Sequence, residues 1–319
     1  MSKADLWQLY RIASLYYKEG KTQEEISERE NVSRSQVSRL LDHARQLGIV
    51  KIDITLPEFL REETLTEFLE KNLRREKLIL APAEKEWDKM QVTAAIAQTA
   101  ASVLPKLLKN AKVVGLGWGE TMYRTALALP NRSVGEETLF VPLIGASGSS
   151  RPSLQINTII DRFSEHLQGD RFFVNLPAFR EKSVPLTAYE SKRMRMLREY
   201  WDTMDTAVIG LGGPYMGTNF FEEEVSKTAM ERVARSDTVG DILSQFFFAD
   251  GSVLEADENY HTNALPLEEL PRLPRTVCLA GGREKTEAIL TAAREGYFRI
   301  LITDTNTAQA LYDQIRREI

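Results

Sequence analysis

The stretch "TQEEISERENVSRSQVSRLL", Thr22 to Leu41, decides how the N-terminal part of the chain is read. Thr22 with Glu25 three residues on is a capping-box pattern that starts a helix. Ile26 marks that helix's buried side, "ENVS" reads as a turn, and Ser33 caps a further helix running through Leu47, with Val37, Leu40 and Leu41 facing inward and Gly48 stopping it. Upstream, "DLWQLYRIASLYYKEG" repeats Leu6, Leu9, Ile12, Ala13, Tyr16 and Tyr17 at helical spacing before Gly20. Downstream, "IVKIDITL" alternates as a strand does, and Pro57 breaks it. Three short helices and a strand within residues 1–56 predict a winged helix-turn-helix DNA-binding head.

A helix that reads DNA needs polar and basic side chains outside and an apolar face inside. The helix after Ser33 offers Ser33, Arg34, Ser35, Gln36, Ser38 and Arg39 on its outer side. Arginine can pair bidentately with guanine and glutamine with adenine, while serines suit phosphates. Gln23, at the start of the preceding helix, is expected to support a phosphate contact. The plain alternative is a solvated helix that touches nothing; the three-helix spacing and tight turn favour DNA. Residues 1–56 hold nine Lys/Arg against eight Asp/Glu, so the positive field is confined to residues 33–47, with three Arg and one Asp. So few basic groups predict paired heads on a palindromic operator.

Composition sets the frame for the remainder. The 319 residues are 43% hydrophobic and 27% charged, with net charge −5, as expected for a globular chain of one small and one large domain. One cysteine, Cys278, and three histidines exclude an internal disulfide and make a structural zinc site improbable on numbers alone. There is no leader-like segment and no run of about 18 apolar residues, so a cytoplasmic setting without membrane contact is expected.

Residues 57–319 are expected to form the second domain. "EFLREETLTEFLEKNL" reads as an amphipathic helix, serving as linker, pairing element or first helix of that domain. Apolar runs "AKVVGLG", "TLFVPLIG", "RFFVNL", "TAVIGLGG", "TVCLAGG" and "YFRILIT" then alternate with helical stretches, which predicts an α/β fold on a parallel sheet. Three of these runs open into glycine-rich loops, "VVGLGWGET", "VIGLGGPYMG" and "VCLAGGREK", which suit close backbone approach to anions or sugars at the carboxyl ends of strands. In "GLGWGETM" the third glycine of a dinucleotide loop is replaced by Glu120, and there is no Lys-Ser/Thr phosphate loop, so neither NAD nor ATP is expected and no cofactor is assigned.

The head, followed in order by "VVGLGWGETM", "FVPLIG", "QINTI", "TVGDILSQFFFADG", "AGGREKTEAILTAA" and "ILITDTNTAQALY", resembles the SorC family of bacterial sugar-responsive transcriptional regulators over essentially the whole chain. That resemblance implies an effector domain similar to sugar-phosphate isomerases and coenzyme A transferases, dimers or tetramers, and control of a carbohydrate-use operon by a sugar or polyol phosphate. Repression relieved by the effector is the commoner mode it implies, with activation as the alternative. It also implies effector contacts at Gly119, Glu120 and Thr121 in "WGETM", Gln155 and Asn157 in "QINTI", Asp241 in "VGD" and Lys285 in "GGREK".

Each has a bland rival. Thr121 could cap a helix, Gln155 face solvent, Asp241 cap a helix "ILSQFFF", Lys285 sit on the surface, and Asn157 support a turn. Trp118 is read as packing on the sheet rather than stacking on a sugar. The sequence departs from the family at Ile144, where some members carry a basic residue, at Glu120, which would repel phosphate, and at Phe179, where many relatives carry proline. A bisphosphate is therefore disfavoured. An isomerase-like enzyme would nominally use Asp241 and Glu120, but it would have no need of the head, and no catalytic residue is assigned.

Overall fold

The structure is a computed structural model that describes residues 3–50, 58–135, 137–148, 155–215, 227–255 and 259–318. The chain divides into two compact units, Met1–Pro57 and Glu58–Ile319.

In the first unit, α1 spans Lys3–Tyr17, α2 Gln23–Glu30 and α3 Arg34–Gln46. The capping box forms: Glu25 N–H donates to Thr22 Oγ1 at 3.2 Å, and Thr22 N–H donates to Glu25 Oε2 at 2.7 Å. Asn31 ends α2 in the left-handed region at φ 51°, which turns the chain sharply into α3. Ser33 caps α3 by accepting from Gln36 N–H at 3.2 Å. Leu9, Ile12, Ala13, Leu15, Ile26, Val37, Leu41 and Ala44 make the core of this unit. Leu6 and Tyr17 belong to the stripe expected on α1, yet both are exposed, because the buried face turns toward Leu15 instead. The expected strand "IVKIDITL" lies mostly on residues 51–57, outside the described residues.

The second unit opens with α4, Glu58–Leu73. Its sheet orders the strands β1 (Lys77–Ala81), β11 (Ile300–Asp304), β10 (Arg275–Leu279), β6 (Thr206–Gly210), β2 (Val113–Leu116), β3 (Leu139–Pro142) and β4 (Asp170–Arg171), each pair parallel. The strands read as unbroken apolar runs because both faces are covered; all five residues of β11 are buried. Between strands lie α5 (Lys89–Leu107), α6 (Glu120–Ala128), α7 (Ile156–Leu167), α8 (Ala188–Thr203), α9 (Lys227–Ala234), α10 (Thr286–Arg294) and, after β11, α11 (Thr305–Glu318). The helix expected at "EFLREETLTEFLEKNL" is α4; it belongs to this unit and stacks Phe68 on Tyr312 of α11, ring centroids 4.6 Å apart.

Two antiparallel pairs stand apart from the sheet. They join β5 (Phe179–Glu181) to β9 (Tyr260–Thr262) and β7 (Gly240–Ile242) to β8 (Gln245–Phe247). The β7–β8 hairpin turns through Leu243 and Ser244, both left-handed at φ 51° and 58°. Consecutive positive φ values match the right-handed twist of paired strands. "ILSQFFF" is therefore not a helix, and Asp241 caps nothing; it sits within β7. "RFFVNL" likewise holds little strand: after Arg171, Phe172 N–H donates to Phe140 O at 2.9 Å, and the pairing resumes where Ala146 N–H donates to Leu176 O at 2.7 Å.

Candidate functional site

From β2 the chain proceeds outward to β3 and β4; from β6, the neighbour on the other side, it proceeds to β10 and β11. The strand order reverses between β2 and β6, and a parallel sheet opens a crevice beyond the carboxyl ends of its strands at such a point. The three glycine-rich loops follow β2, β6 and β10, which are adjacent in the sheet, so the fold brings them side by side at that edge.

The tightest part of the arrangement surrounds Gly212, in the loop after β6. Gly212 and Asp241 form an antiparallel bridge, with Gly212 N–H donating to Asp241 O at 2.9 Å. A side-chain carbon added at Gly212 would fall 1.9 Å from Asp241 Oδ1, so only glycine admits the carboxylate there. Lys285 closes the other side: Nζ donates to Leu211 O at 2.8 Å, and its stem lies against Gly213. Lys285 ends a short 3-10 turn, Arg283–Lys285, ahead of α10 and is only partly exposed.

Burial pushes the Asp241 carboxyl up to about 6, while the Lys285 charge and the Ser244 backbone N–H pull in the opposite direction. Burial also lowers the Lys285 ammonium; Lys89, at the start of α5, depresses it further, and Glu284 and Asp241 oppose that. A ligand offering hydroxyls to Asp241 and an anion to Lys285 would find a partner in each. Lys89 was not among the expected residues. It follows an acidic, tryptophan-containing loop, and only folding brings it toward Lys285.

A consequence concerns pH. Between about pH 4 and 6 the folded chain holds a proton on Asp241 that the unfolded chain has released, so this residue makes stability fall as pH rises through that window. Asp241→Asn removes that slope. The melting temperature of the variant relative to wild type is expected to be higher at pH 7.5 than at pH 5.0; an equal difference at both would place the Asp241 pKa at an ordinary value.

The other expected residues lie along the same edge. Gly119 is the N-cap of α6 at φ 120°, with open space where a side chain would start. Thr121 is the second residue of that helix, so its side chain is not the cap. Glu120 Oε1 accepts from Arg124 Nε at 2.6 Å, which neutralises much of the charge that would repel an anion. Gln155 is the N-cap of α7 and makes no side-chain capping bond; its Nε2 donates to Ser147 O at 3.4 Å. Asn157 commits both ends of its amide to Val174, donating from Nδ2 to the carbonyl at 2.7 Å and accepting the N–H at 3.0 Å. That clamps the segment after β4. Trp118 packs in the core, and Cys278, buried on β10, is pushed up to about 12.

In the first unit, Ser33, Ser35, Gln36, Ser38 and Arg39 are exposed, and Gln23 is partly so. Ser33 is occupied as a cap and also bonds Ser35 Oγ at 3.0 Å. Arg34 lies 3.5 Å from Glu24 and Arg45 pairs with Asp42. Among the described residues Arg39 is the α3 arginine with no carboxylate partner.

The architecture is thus a three-helix unit followed by an α/β unit whose strand order reverses between β2 and β6, beside the three glycine-rich loops. Comparison with known proteins gives this a family. Residues 58–313 match the family described as "Putative sugar-binding domain". The sorbitol operon regulator of Klebsiella pneumoniae is 26% identical over 311 residues, covering 96% of this chain and 98% of the relative. Its full-length crystal structure superimposes with a TM-score of 0.68 over 96% of this chain and 98% of that one. The deoxyribonucleoside regulator of Bacillus subtilis is 28% identical, covering 95% of this chain and 96% of its own. Transcriptional regulator LsrR of Escherichia coli O9:H4 (strain HS) is 31% identical, covering 95% and 94%. The chain belongs to the SorC family of sugar-responsive transcriptional regulators. These relatives are named as regulators rather than enzymes, which removes the isomerase reading of Asp241 and Glu120.

Proposed function

We propose that this protein is a transcriptional repressor of a carbohydrate-use operon, released from its operator by a sugar or polyol phosphate. Residues 1–56 are the DNA-binding domain, reading the major groove through α3. Residues 57–319 bind the effector and hold the chains together as a dimer or tetramer acting in the cytoplasm. Gly119, Glu120, Thr121, Gln155, Asn157, Asp241 and Lys285 line or support the effector site. Asn157 acts there through the backbone it clamps.

The observation that carries this reading is the Asp241–Lys285 pair closing on Gly212 at the reversal of the sheet. A carboxylate that accepts hydroxyl protons next to an ammonium that meets an anion matches a phosphorylated polyhydroxy compound. The relatives' names, a sorbitol operon regulator and a deoxyribonucleoside regulator, support sugars as the class. Coupling follows from differential affinity: the effector shifts the population toward the arrangement of chains it binds better, and the factor by which it lowers operator affinity equals the factor by which operator lowers effector affinity.

The test pairs two measurements on the full chain. Matched sugars and sugar phosphates are screened for a rise in melting temperature, and each hit is added to an operator complex followed by fluorescence anisotropy. A phosphorylated compound is expected to raise the melting temperature by several degrees and release the DNA. A hit that tightens the DNA complex instead would reverse the sign of control. If no sugar, polyol or phosphate ester stabilised the protein, the effector reading would fail.

A further inference from the structure

α5 and the loop after β10 are built against one another. A side-chain carbon added at Gly281 would lie 2.3 Å from Ile96 and 3.4 Å from Val92, so the first turns of α5 rest directly on the glycine loop. Lys89 lies three residues before Val92 and shares that side of the helix, one turn further toward Gly282 and Lys285.

The sequence "DTNT", Asp304–Thr307, fixes this relation. Thr305 Oγ1 accepts from Ala83 N–H and donates to Ala83 O, both at 3.1 Å, and Asn306 Nδ2 donates to Glu84 O at 2.8 Å. These bonds hold the loop that leads into α5. On the opposite side, Gly282 N–H donates to Thr307 Oγ1 at 2.7 Å, and Thr307 N–H donates to Asp304 Oδ1 at 2.9 Å. One tetrapeptide therefore sets both the loop that carries Lys89 and the loop that carries Lys285.

We infer that Lys89 is a second cation of the effector site, meeting the anionic end of the ligand together with Lys285. The inference rests on the effector reading above and assigns the phosphate end of the ligand to the α5 side of the crevice. The acidic neighbours are Asp241, which packs against Gly212, Glu284, which folds back over Gly282, and buried Asp304, whose Oδ2 accepts from Gly282 N–H at 3.3 Å. Asp88 is turned into α5, where Oδ1 accepts from Gln91 N–H at 2.8 Å. Lys89 therefore adds a positive group on the side of the loop where Lys285 stands.

The test uses the full chain with inorganic phosphate, D-glucitol and D-glucitol 6-phosphate as probes, followed by calorimetric titration at two salt concentrations. Lys89 is exposed, so Lys89→Ala is expected to melt with wild type. Lys89→Ala should weaken phosphate-bearing probes about tenfold and flatten their salt dependence, leave D-glucitol unchanged, and be rescued by Lys89→Arg to within about twofold. Equal phosphate affinity in wild type and Lys89→Ala overturns the inference alone. Wild type that binds D-glucitol but neither phosphate probe also overturns it, with the sugar reading left standing. Wild type that responds to no sugar, polyol or phosphate overturns both.

Discussion

If the proposed effector site is correct, a Lys285→Met chain is expected to bind a phosphorylated sugar about a hundredfold more weakly than wild type, with operator binding in its absence unchanged. Methionine keeps the stem that lies against Gly213 but removes the ammonium that donates to Leu211 O. A hydrogen bond to a charged group contributes about 1.5–3 kcal/mol, and each ~1.4 kcal/mol is a factor of ten. The upper end applies because two losses coincide. The anion loses its donor, and Asp241 loses the cation that opposes burial, so its carboxyl is pushed further up and becomes a poorer acceptor for hydroxyls. Titration by calorimetry and operator anisotropy on the same preparation separate the two arms. A normal dose-response curve would remove Lys285 from the site.

Arg39→Ala should have the converse effect: operator affinity falls by about one and a half to four orders of magnitude while effector affinity is retained. On α3, Arg34 and Arg45 have carboxylate partners in Glu24 and Asp42; Arg39 has none among the described residues and lies exposed two residues after buried Val37. Its guanidinium can engage DNA without first breaking an ion pair. A base contact is worth about 1–3 kcal/mol per head, and paired heads lose it twice. The pattern of loss tells what Arg39 meets. Relaxed preference at one base pair per half-site identifies a base edge, and uniform weakening with a shallower salt dependence identifies a phosphate. Unchanged operator affinity would show that α3 reads DNA through other residues.

Much of this was legible in the sequence, for identifiable reasons. The capping box at Thr22, the turn at Asn31 and the cap at Ser33 are local chemistry, set by residues three or four apart, and they form as read. The parallel sheet was legible because strands covered on both faces are continuous apolar runs. Asp241 and Lys285 were singled out through a family resemblance, and the fold places both beside the Gly212 loop. What escaped was non-local or short. β1, "KLILA", is only five residues long and directly follows a long amphipathic helix, so it is easily passed over; its only described partner is β11. The β7–β8 hairpin turns on Leu243 and Ser244, residues that seldom adopt left-handed backbone, so no asparagine or glycine announced it. Lys89 was invisible because its role depends on Gly281 packing under α5 and on the Asp304–Thr307 bonds, contacts that span some two hundred residues.

The pairing of β1 with β11 also orders events during synthesis. β1 lies at one edge of the sheet, and the strand that joins it to the rest is Ile300–Asp304, near the far end of the chain. The three-helix unit has its own core and depends on contacts within its first fifty residues, so it can fold soon after it leaves the ribosome. The sensing unit cannot close until β11 and α11 have emerged and the "DTNT" bonds have drawn the α5 loop and the glycine loop together. A chain interrupted before that point would carry a formed three-helix head with no closed sugar-binding unit behind it.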